Sequence, residues 1–396
     1  MAASAEDLSR LSRRTLLRGF TGCCLAASPL MTPITLAAAP GENRLVVIVL
    51  RGAMDGLDVL RPLGDPDYAA LRPGLLAGPE TVALDGFYGL HPALAPLLPL
   101  WREGSLGFAH AVSTPYRDKR SHFEGQDILE AGLTGLDGAG APDSGWMNRL
   151  AGLIPGATPR TAFAVGRAGE LILSGPAPAT GWYPRSAGPM SEQARRLVEM
   201  VSHDDPLFRA QAMAAFALAA EEAGDETAGT KQPQHLQVAD YLAGQLLGQA
   251  RLAAFSITGW DTHGNQAETL KTPLGRLSDT LLRLKQGLGP VWDRTAILAM
   301  TEFGRTAREN GSKGTDHGTG GAMLMAGGAV RGGRVYADWP GLSEAALYDR
   351  RDLTPTRDVR ALAAEAIASM FGTARGDLER TVFPGLDMAG APAILL

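Results

Sequence analysis

Acids and imidazoles gather where apolar runs of the chain end. Residues 296–300, Ala-Ile-Leu-Ala-Met, stop at Thr301-Glu302, with Arg305 following and then a glycine-rich loop that carries Asp316-His317 into Gly318, Gly320 and Gly321. Residues 252–257 end in Thr258-Gly259-Trp260-Asp261-Thr262-His263. In an extended segment, side chains two apart point to one side, so Asp261 and His263 can close on one ion. Residues 45–50, Leu-Val-Val-Ile-Val-Leu, lead to Asp55. Together Asp55, Asp261, His263, Glu302, Asp316 and His317 offer four carboxylates and two imidazoles. These hard oxygen and nitrogen donors suit one or two divalent ions, zinc, manganese or calcium. Two adjacent ions would use about that many ligands and could hold a phosphate or sulfate oxygen between them. Arg305 would add positive charge for the transferring group. Ser121 stands at a predicted helix start beside Arg117, Lys119 and Arg120, with His122 next to it. The helix dipole and the cations favour negative charge there, so Ser121 or a metal-held hydroxide would be the nucleophile and His122 a catalytic partner. The bland alternatives are a strand cap, a turn acid and a helix capping box formed by Ser121 and Glu124.

The elements that must position these groups alternate between strand and helix. Unbroken apolar runs at 45–50, 106–112, 252–257, 296–300 and 322–326 have the pattern of strands covered on both faces. The leucines at 274, 277, 281, 284 and 288 form a stripe that docks one helix on the sheet. A short helix is expected from 90 to about 101, with His91 capping or packing, and another from 146. Segments 161–165 and 170–173 read as peripheral strands. Alanine-rich 191–223 and then 236–250 read as helices, so 190–250 forms a covering or cap region, covering being favoured. An amphipathic helix is expected over 357–371, with Val359, Leu362, Ala366 and Met370 on one side. Residues 383–386 form a tail that packs back on the body. Strand, helix, strand with acids and imidazoles at the strand ends is the pattern of an α/β metalloenzyme, whose ligands sit outside the carboxyl ends of the strands.

The first 39 residues read as an export signal. Ser12-Arg13-Arg14-Thr15-Leu16-Leu17 is a twin-arginine signature, a weakly apolar run follows, and Ala37-Ala38-Ala39 offers small residues for cleavage. The run is broken by Pro29 and Pro33 and is too short and polar to span a membrane, so no transmembrane anchor is expected. Both cysteines, Cys23 and Cys24, lie inside the signal. The mature chain, 40–396, would therefore have no disulfide, thiolate metal site or cysteine nucleophile. Removing 1–39 takes away four arginines and two acids, so the formal net charge moves from −5 to −7, which argues against a nucleic-acid partner. The destination is periplasmic or secreted.

The segments LRGAMDGLD, SHFEGQD, GWDTHGNQ and TEFGRTARENGSKGTDHGTGG, in this order behind a twin-arginine signal, resemble the exported bacterial "domain of unknown function 1501" family. The resemblance extends over essentially the whole mature chain. It implies similarity to the alkaline phosphatase and sulfatase superfamily: a three-layer α/β/α sandwich with a mainly parallel central sheet, forming a single domain, and hydrolysis of phosphate or sulfate esters in a small molecule or polymer. Carried across by motif, Asp55 resembles the first-strand metal carboxylate, Ser121 the nucleophile, Asp261 and His263 the mid-chain ligands, Glu302 the later strand-end carboxylate and His317 the final histidine. Phe303 stands where that family pattern places a further histidine, so one ligand is missing unless Asp316-His317 supplies the pair. The resemblance also allows, as the alternative, a non-catalytic exported binding or envelope-assembly protein with an exported protein partner. A serine–histidine esterase is disfavoured, because no Gly-x-Ser-x-Gly elbow follows a strand.

Overall fold

A computed structural model gives the fold of residues 34–38, 42–78, 80–117, 119–136, 143–154, 171–182 and 232–396. Twelve strands occur among the described residues: β1 (Ile34–Ala38), β2 (Arg44–Arg51), β3 (Leu60–Arg61), β4 (Val82–Ala83), β5 (Gly89–Leu90), β6 (Leu106–Ser113), β7 (Thr180–Trp182), β8 (Ala250–Thr258), β9 (Thr295–Met300), β10 (Gly321–Ala326), β11 (Val335–Tyr336) and β12 (Arg357–Asp358). Nine of them form one sheet in the order β11-β6-β10-β9-β2-β8-β1-β7, with β12 also paired to β6, and β3-β5-β4 form a small second sheet. Strands β8, β2 and β9 are parallel neighbours. Strand β10 is antiparallel to β9 and to β6, so β6 points with the central three, as do β11 and β12 beside it. Strand β1 is antiparallel to β8 and β7. The result is a mixed sheet in which seven of the nine strands run one way.

Strand β2 shows why both faces must be covered. Its residues alternate between two apolar cores: Val46, Ile48 and Leu50 enter one with Leu242, Leu277 and Leu281, while Leu45, Val47 and Val49 enter the other with Trp146, Leu150, Leu362 and Ile367. Period-two alternation of side chains sends every second residue to the opposite face, and because both faces are dry the run reads as continuously apolar. Helix α1 (His122–Ala131) follows β6, and α2 (Trp146–Leu153) packs on the second face. Helices α3 (Gln234–Leu247) and α4 (Lys271–Leu288) lie on the first face, where all five leucines of the α4 stripe are fully buried. Thus α3 is a covering helix. The parts of the expected cap region at 190–231, the strand expected at 161–165 and most of the expected signal lie outside the described residues. No helix among the described residues is long and apolar enough to cross a membrane.

Several local expectations are corrected. Leu171–Leu173 is a 3-10 turn, not a strand: the Ile172 N–H donates to the buried Glu130 Oε2 at 3.1 Å and the Leu173 carbonyl accepts from Asn148, so side chains satisfy backbone groups a neighbouring strand would otherwise serve. The Ser121–Glu124 capping box does not form. Instead the Ser121 N–H donates to the Tyr116 hydroxyl at 2.8 Å, and Glu124 pairs with Lys119 at 2.6 Å. Helix α5 (Val359–Phe371) begins two residues later than expected, behind Asp358, whose side chain accepts from the Arg360 N–H. It is buried on more than one face, since Ala361, Ala363, Ala364 and Ile367 are covered as well as the expected stripe. His91 caps a 3-10 helix by accepting from the Ala93 N–H, and Phe383 and Leu386 pack into the second core.

Candidate functional site

The direction of β10 determines which loops meet. The loops that leave the parallel strands β2, β6, β8 and β9 lie at the carboxyl edge of the sheet, and β10, running the other way, brings the loop that enters it to that same edge. Asp261 and His263 after β8, Glu302 and Arg305 after β9, His122 after β6 and Asp316-His317 before β10 therefore converge. Gly314 and Gly318 let the last loop thread between the others. A Cβ on Gly314 would lie 2.4 Å from the His263 carbonyl carbon, and one on Gly318 would lie 2.3 Å from the Arg305 carbonyl carbon. The backbones of Arg305 and His317 pair across this gap.

At the centre is the Asp261 carboxylate. Its Oδ1 lies 3.0 Å from His263 Nε2, 3.2 Å from His317 Nε2 and 3.4 Å from His122 Nε2, and His263 Nε2 lies 2.9 Å from His317 Nε2. Every one of these imidazoles has its other nitrogen against an oxygen. His122 Nδ1 is 2.8 Å from Glu302 Oε1, His263 Nδ1 is 3.2 Å from Asp316 Oδ1, and His317 Nδ1 is 2.9 Å from the Arg120 carbonyl. Ionised carboxylates and carbonyls only accept, so each Nδ1 carries a hydrogen, and in the neutral form of each ring the Nε2 that faces inward is a lone pair. Two such nitrogens at 2.9 Å repel unless a cation or a proton lies between them. His122 Nε2 is buried and has no hydrogen-bond partner. The separations of Asp261 Oδ1 from His317 Nε2 and His122 Nε2, 3.2 and 3.4 Å, are close to the ~3.3 Å edge of a tetrahedron with metal–nitrogen bonds of about 2.0–2.1 Å. His122, Asp261 and His317 form a group that could hold a metal ion, and His263 Nε2 borders it.

The surroundings hold this arrangement in place. Phe303 is buried and lies under His122, with ring centroids 5.2 Å apart and planes 24° apart, and against His317 at 5.3 Å. Glu302 is wholly buried: Oε1 accepts from His122, from the Gly52 N–H at 2.9 Å and from Gln126 at 3.0 Å, while Oε2 accepts from Thr301 at 2.8 Å. Burial alone would raise its carboxyl pKa, but the hydrogen bonds from His122, Gln126 and Thr301 outweigh burial and lower it. The bond to Glu302 is also the main reason that His122 is raised, against the effect of burial. Burial lowers His317, and the nearby charge of Arg305 adds to that, the direction that favours the neutral ring a ligand needs. Arg120, at φ +53°, directs its carbonyl at His317 from the left-handed region; such non-glycine outliers cluster at functional sites.

Arg305 fills the space next to Asp261. Its guanidinium is fully buried and donates to the carbonyls of Gly52 at 2.6 Å, Ala53 at 2.7 Å, Thr315 at 3.1 Å and Trp260 at 3.2 Å, and to Asp261 Oδ1 at 2.6 Å. Partial burial would raise Asp261, yet Arg305, through its hydrogen bond and its charge, pulls the carboxyl down to about 2.

Of the residues singled out in the sequence, His122, Asp261, His263 and His317 meet at one point, with Arg305 against them. Glu302 and Asp316 sit one layer out, holding His122 and His263, and Asp316 also accepts from Asn310 at 3.0 Å. Asp55 is not brought in. It is fully buried, and its Oδ2 is held by Arg72 at 2.7 Å, by Gln266 at 2.7 Å and by Thr315 at 3.3 Å. Ser121 occupies the cap position of α1, but its hydroxyl makes no cap bond and no hydrogen bond to an imidazole among the described residues. Gln126, the Arg120 carbonyl and Asn310 were not anticipated. Of these only Gln126 carried a sequence signal, lying one helical turn after His122 and so on the same helix face.

No curated protein and no solved structure matches the chain. Residues 113–376 match the family described as "Protein of unknown function (DUF1501)", and this segment contains all the residues that converge at the Asp261 carboxylate. The chain belongs to the DUF1501 family.

Proposed function

We propose that the protein is an exported, metal-dependent hydrolase of phosphate or sulfate esters, built as a three-layer sandwich of the alkaline phosphatase and sulfatase kind and carried out by the twin-arginine route. The observation that carries the metal assignment is the set of three imidazoles, each with its Nδ1 against an oxygen and its Nε2 turned towards Asp261 Oδ1. Outer-shell acceptors of this kind fix the tautomer and orientation of metal-ligating histidines. Two imidazoles and one carboxylate, with a third imidazole at the border, favour zinc or manganese over calcium, which takes oxygen ligands. One ion is the better count. Asp55 is neutralised by Arg72, Glu302 by its four donors, and Arg305 already supplies a fixed cation beside Asp261.

A divalent ion held by His122, His317 and Asp261, with His263 Nε2 at its border, would draw charge from a phosphoryl or sulfuryl oxygen. The protein's own part is to fix the ligands and to exclude alternatives. Glu302, Asp316 and the Arg120 carbonyl hold the three rings in the ligand tautomer. Arg305 adds a rigid positive charge where an anionic ester would arrive, with no reorganisation on binding. Phe303 closes the floor with apolar surface. Among the described residues Ser121 has no hydrogen-bonded base, so a metal-held hydroxide is favoured over a serine–histidine pair.

Elemental analysis of the purified full-length protein, beside an Asp261→Ala, His317→Ala variant, tests this. About one equivalent of zinc or manganese, lost in the variant together with hydrolysis of aryl phosphates or sulfates, is the expected result. A metal-free protein whose melting temperature ignores added zinc and manganese would overturn it, leaving a non-catalytic binding or envelope-assembly role.

A further inference from the structure

His263 is the most exposed of the three imidazoles at the cluster. Nearly half of its side chain is open to solvent, and so is half of the Asp316 side chain that meets its Nδ1. An exposed pair of this kind holds a ring only weakly by itself. The loop 310–314 supplies the rest. Asn310 closes it: its N–H donates to the Gly314 carbonyl at 2.8 Å, and its Oδ1 accepts from the Ser312 and Gly314 N–H groups at 2.9 and 3.1 Å. Those two donors fix which end of the amide is oxygen, so the Nδ2 hydrogens point the other way. One goes to the His263 carbonyl and one to Asp316 Oδ1, each at 3.0 Å. That Asp316 oxygen is the one that meets His263 Nδ1 at 3.2 Å. A single amide thus grips His263 at its backbone and, through Asp316, at its ring, with both hydrogens and both oxygen lone pairs used. The remainder of the loop grips the residues on either side. The Ser312 and Lys313 carbonyls accept from the Asn265 and Gln266 N–H groups at 3.0 and 2.8 Å, and the Thr315 N–H donates to the Thr262 carbonyl at 3.2 Å.

We propose that Asn310 is a positioning residue: by tying the His263 carbonyl to Asp316 Oδ1, it fixes His263 as the Nδ1–H tautomer with Nε2 turned to the metal group. Its effect on metal binding rests on the metal assignment above and adds to it the group that keeps His263 at the border of the ion. Asn310→Asp tests this. The side chain can still accept from Ser312 and Gly314, so the loop can close, but no hydrogen reaches the His263 carbonyl or Asp316, and two carboxylates now face each other. Imidazole nitrogen NMR of the metal-free full-length protein, with the His263 signals identified by their loss in His263→Ala, should show the Nδ1–H tautomer in the parent and a mixture of tautomers in the variant. Zinc affinity, read by competition with a fluorescent chelator, should fall about tenfold, the lower end of what outer-shell partners contribute. In a His263→Ala background, which keeps His122, His317 and Asp261, the same change should leave zinc affinity within about twofold, whereas a general effect of loop closure or added charge would persist there. An unchanged tautomer in Asn310→Asp, or an equal loss of zinc affinity in both backgrounds, would overturn the proposal. A parent protein that binds no zinc would sink the metal assignment instead, and the tautomer, read without metal, would still decide the role of Asn310.

Discussion

Asp55 and Asp261 leave the carboxyl ends of two neighbouring parallel strands, and the protein treats them in opposite ways. Asp55 is sealed: its Oδ2 takes the Arg72 guanidinium, Gln266 and Thr315, with no exposure to solvent. Nearby, His110 is equally sealed, its Nε2 against the Gly56 and Leu60 carbonyls at 3.2 and 3.1 Å. Asp261 is also paired with a buried arginine, Arg305 at 2.6 Å, but keeps 46% of its side chain exposed and faces the Nε2 atoms of three imidazoles. A strand-end position therefore does not make a carboxylate a ligand. Each carboxylate is paired with a buried arginine, so what separates them is the rest of the company: Asp55 is buried among further donors, whereas Asp261 is open to solvent and faces imidazole nitrogens. The closed region contributes to holding the loops, and each region leaves a buried atom without a hydrogen-bond partner, Asp55 Oδ1 in the closed one and His122 Nε2 in the open one.

The contrast breaks most visibly at Arg72. Removing one partner of a buried ion pair leaves an uncompensated charge, a loss of about 3–5 kcal/mol. Arg72→Ala should lower the midpoint of urea unfolding accordingly, while the fraction that folds binds metal in the same stoichiometry as the parent. If metal binding disappeared while stability held, Asp55 would belong to the site after all.

Histidine gives the second comparison. Burial pushes the His110 pKa down to about 4, against an ordinary value near ~6.5. The unfolded chain binds this proton more readily, so the stability associated with neutral His110 is present above about pH 6.5 and is lost as pH falls towards 4. The shift corresponds to roughly 3 kcal/mol. His110→Gln stays neutral throughout, so its unfolding free energy between about pH 7 and about pH 4 should fall by roughly 3 kcal/mol less than that of the parent. His91, also pushed down to about 4 by burial, remains in both proteins and cancels. An unchanged pH slope would mean that His110 is not sealed as described.

Glu302 sharpens the boundary between the two regions, since it is buried like Asp55 yet serves the open cluster. Glu302→Gln keeps an acceptor for His122 Nδ1 but removes the charge that raises that ring. Loss of an outer-shell partner costs about 10–100-fold in metal affinity, and this conservative change should fall at the lower end, near tenfold. Competition against a fluorescent zinc chelator measures it. No change would place Glu302 with the purely structural acids.

These distinctions mark what could and could not be read from the chain. The apolar runs of β2, β8 and β9 and the leucine stripe of α4 were legible because burial on both faces leaves unbroken hydrophobicity. The pairing of Asp261 with His263 was legible from their close spacing just past a strand end, although both lie beyond β8 and His263 stands in a bend rather than in extended chain. The direction of β10 was not, since an apolar run reads alike both ways; yet that direction is what brings His317 to the same edge as Asp261. Nor could spacing separate ligand from support. Glu302 and Asp316 are acids at strand and loop ends just as Asp261 is, and only the depth of Glu302 and the partners of Asp316 assign them to the outer layer. Asp55 looked like a ligand because its cation, Arg72, comes from a different loop 17 residues on.

Ser121 provides the finest test of this division, because it lies next to the cluster in sequence without bonding to it. A serine that caps a helix through its hydroxyl typically contributes about 1 kcal/mol, and loss of that bond in an alanine variant is readily measured. Here the hydroxyl makes no cap bond, the Ser121 N–H is held by the Tyr116 hydroxyl at 2.8 Å, and no imidazole among the described residues accepts the hydroxyl hydrogen. The N–H bond survives replacement by alanine. Ser121→Ala should therefore change the unfolding free energy by less than about 0.5 kcal/mol and leave zinc affinity within error of the parent. A loss near ~1 kcal/mol would put the hydroxyl back on the helix end, and a loss of hydrolysis at unchanged stability and metal content would make Ser121 the nucleophile that its place before His122 first pointed to.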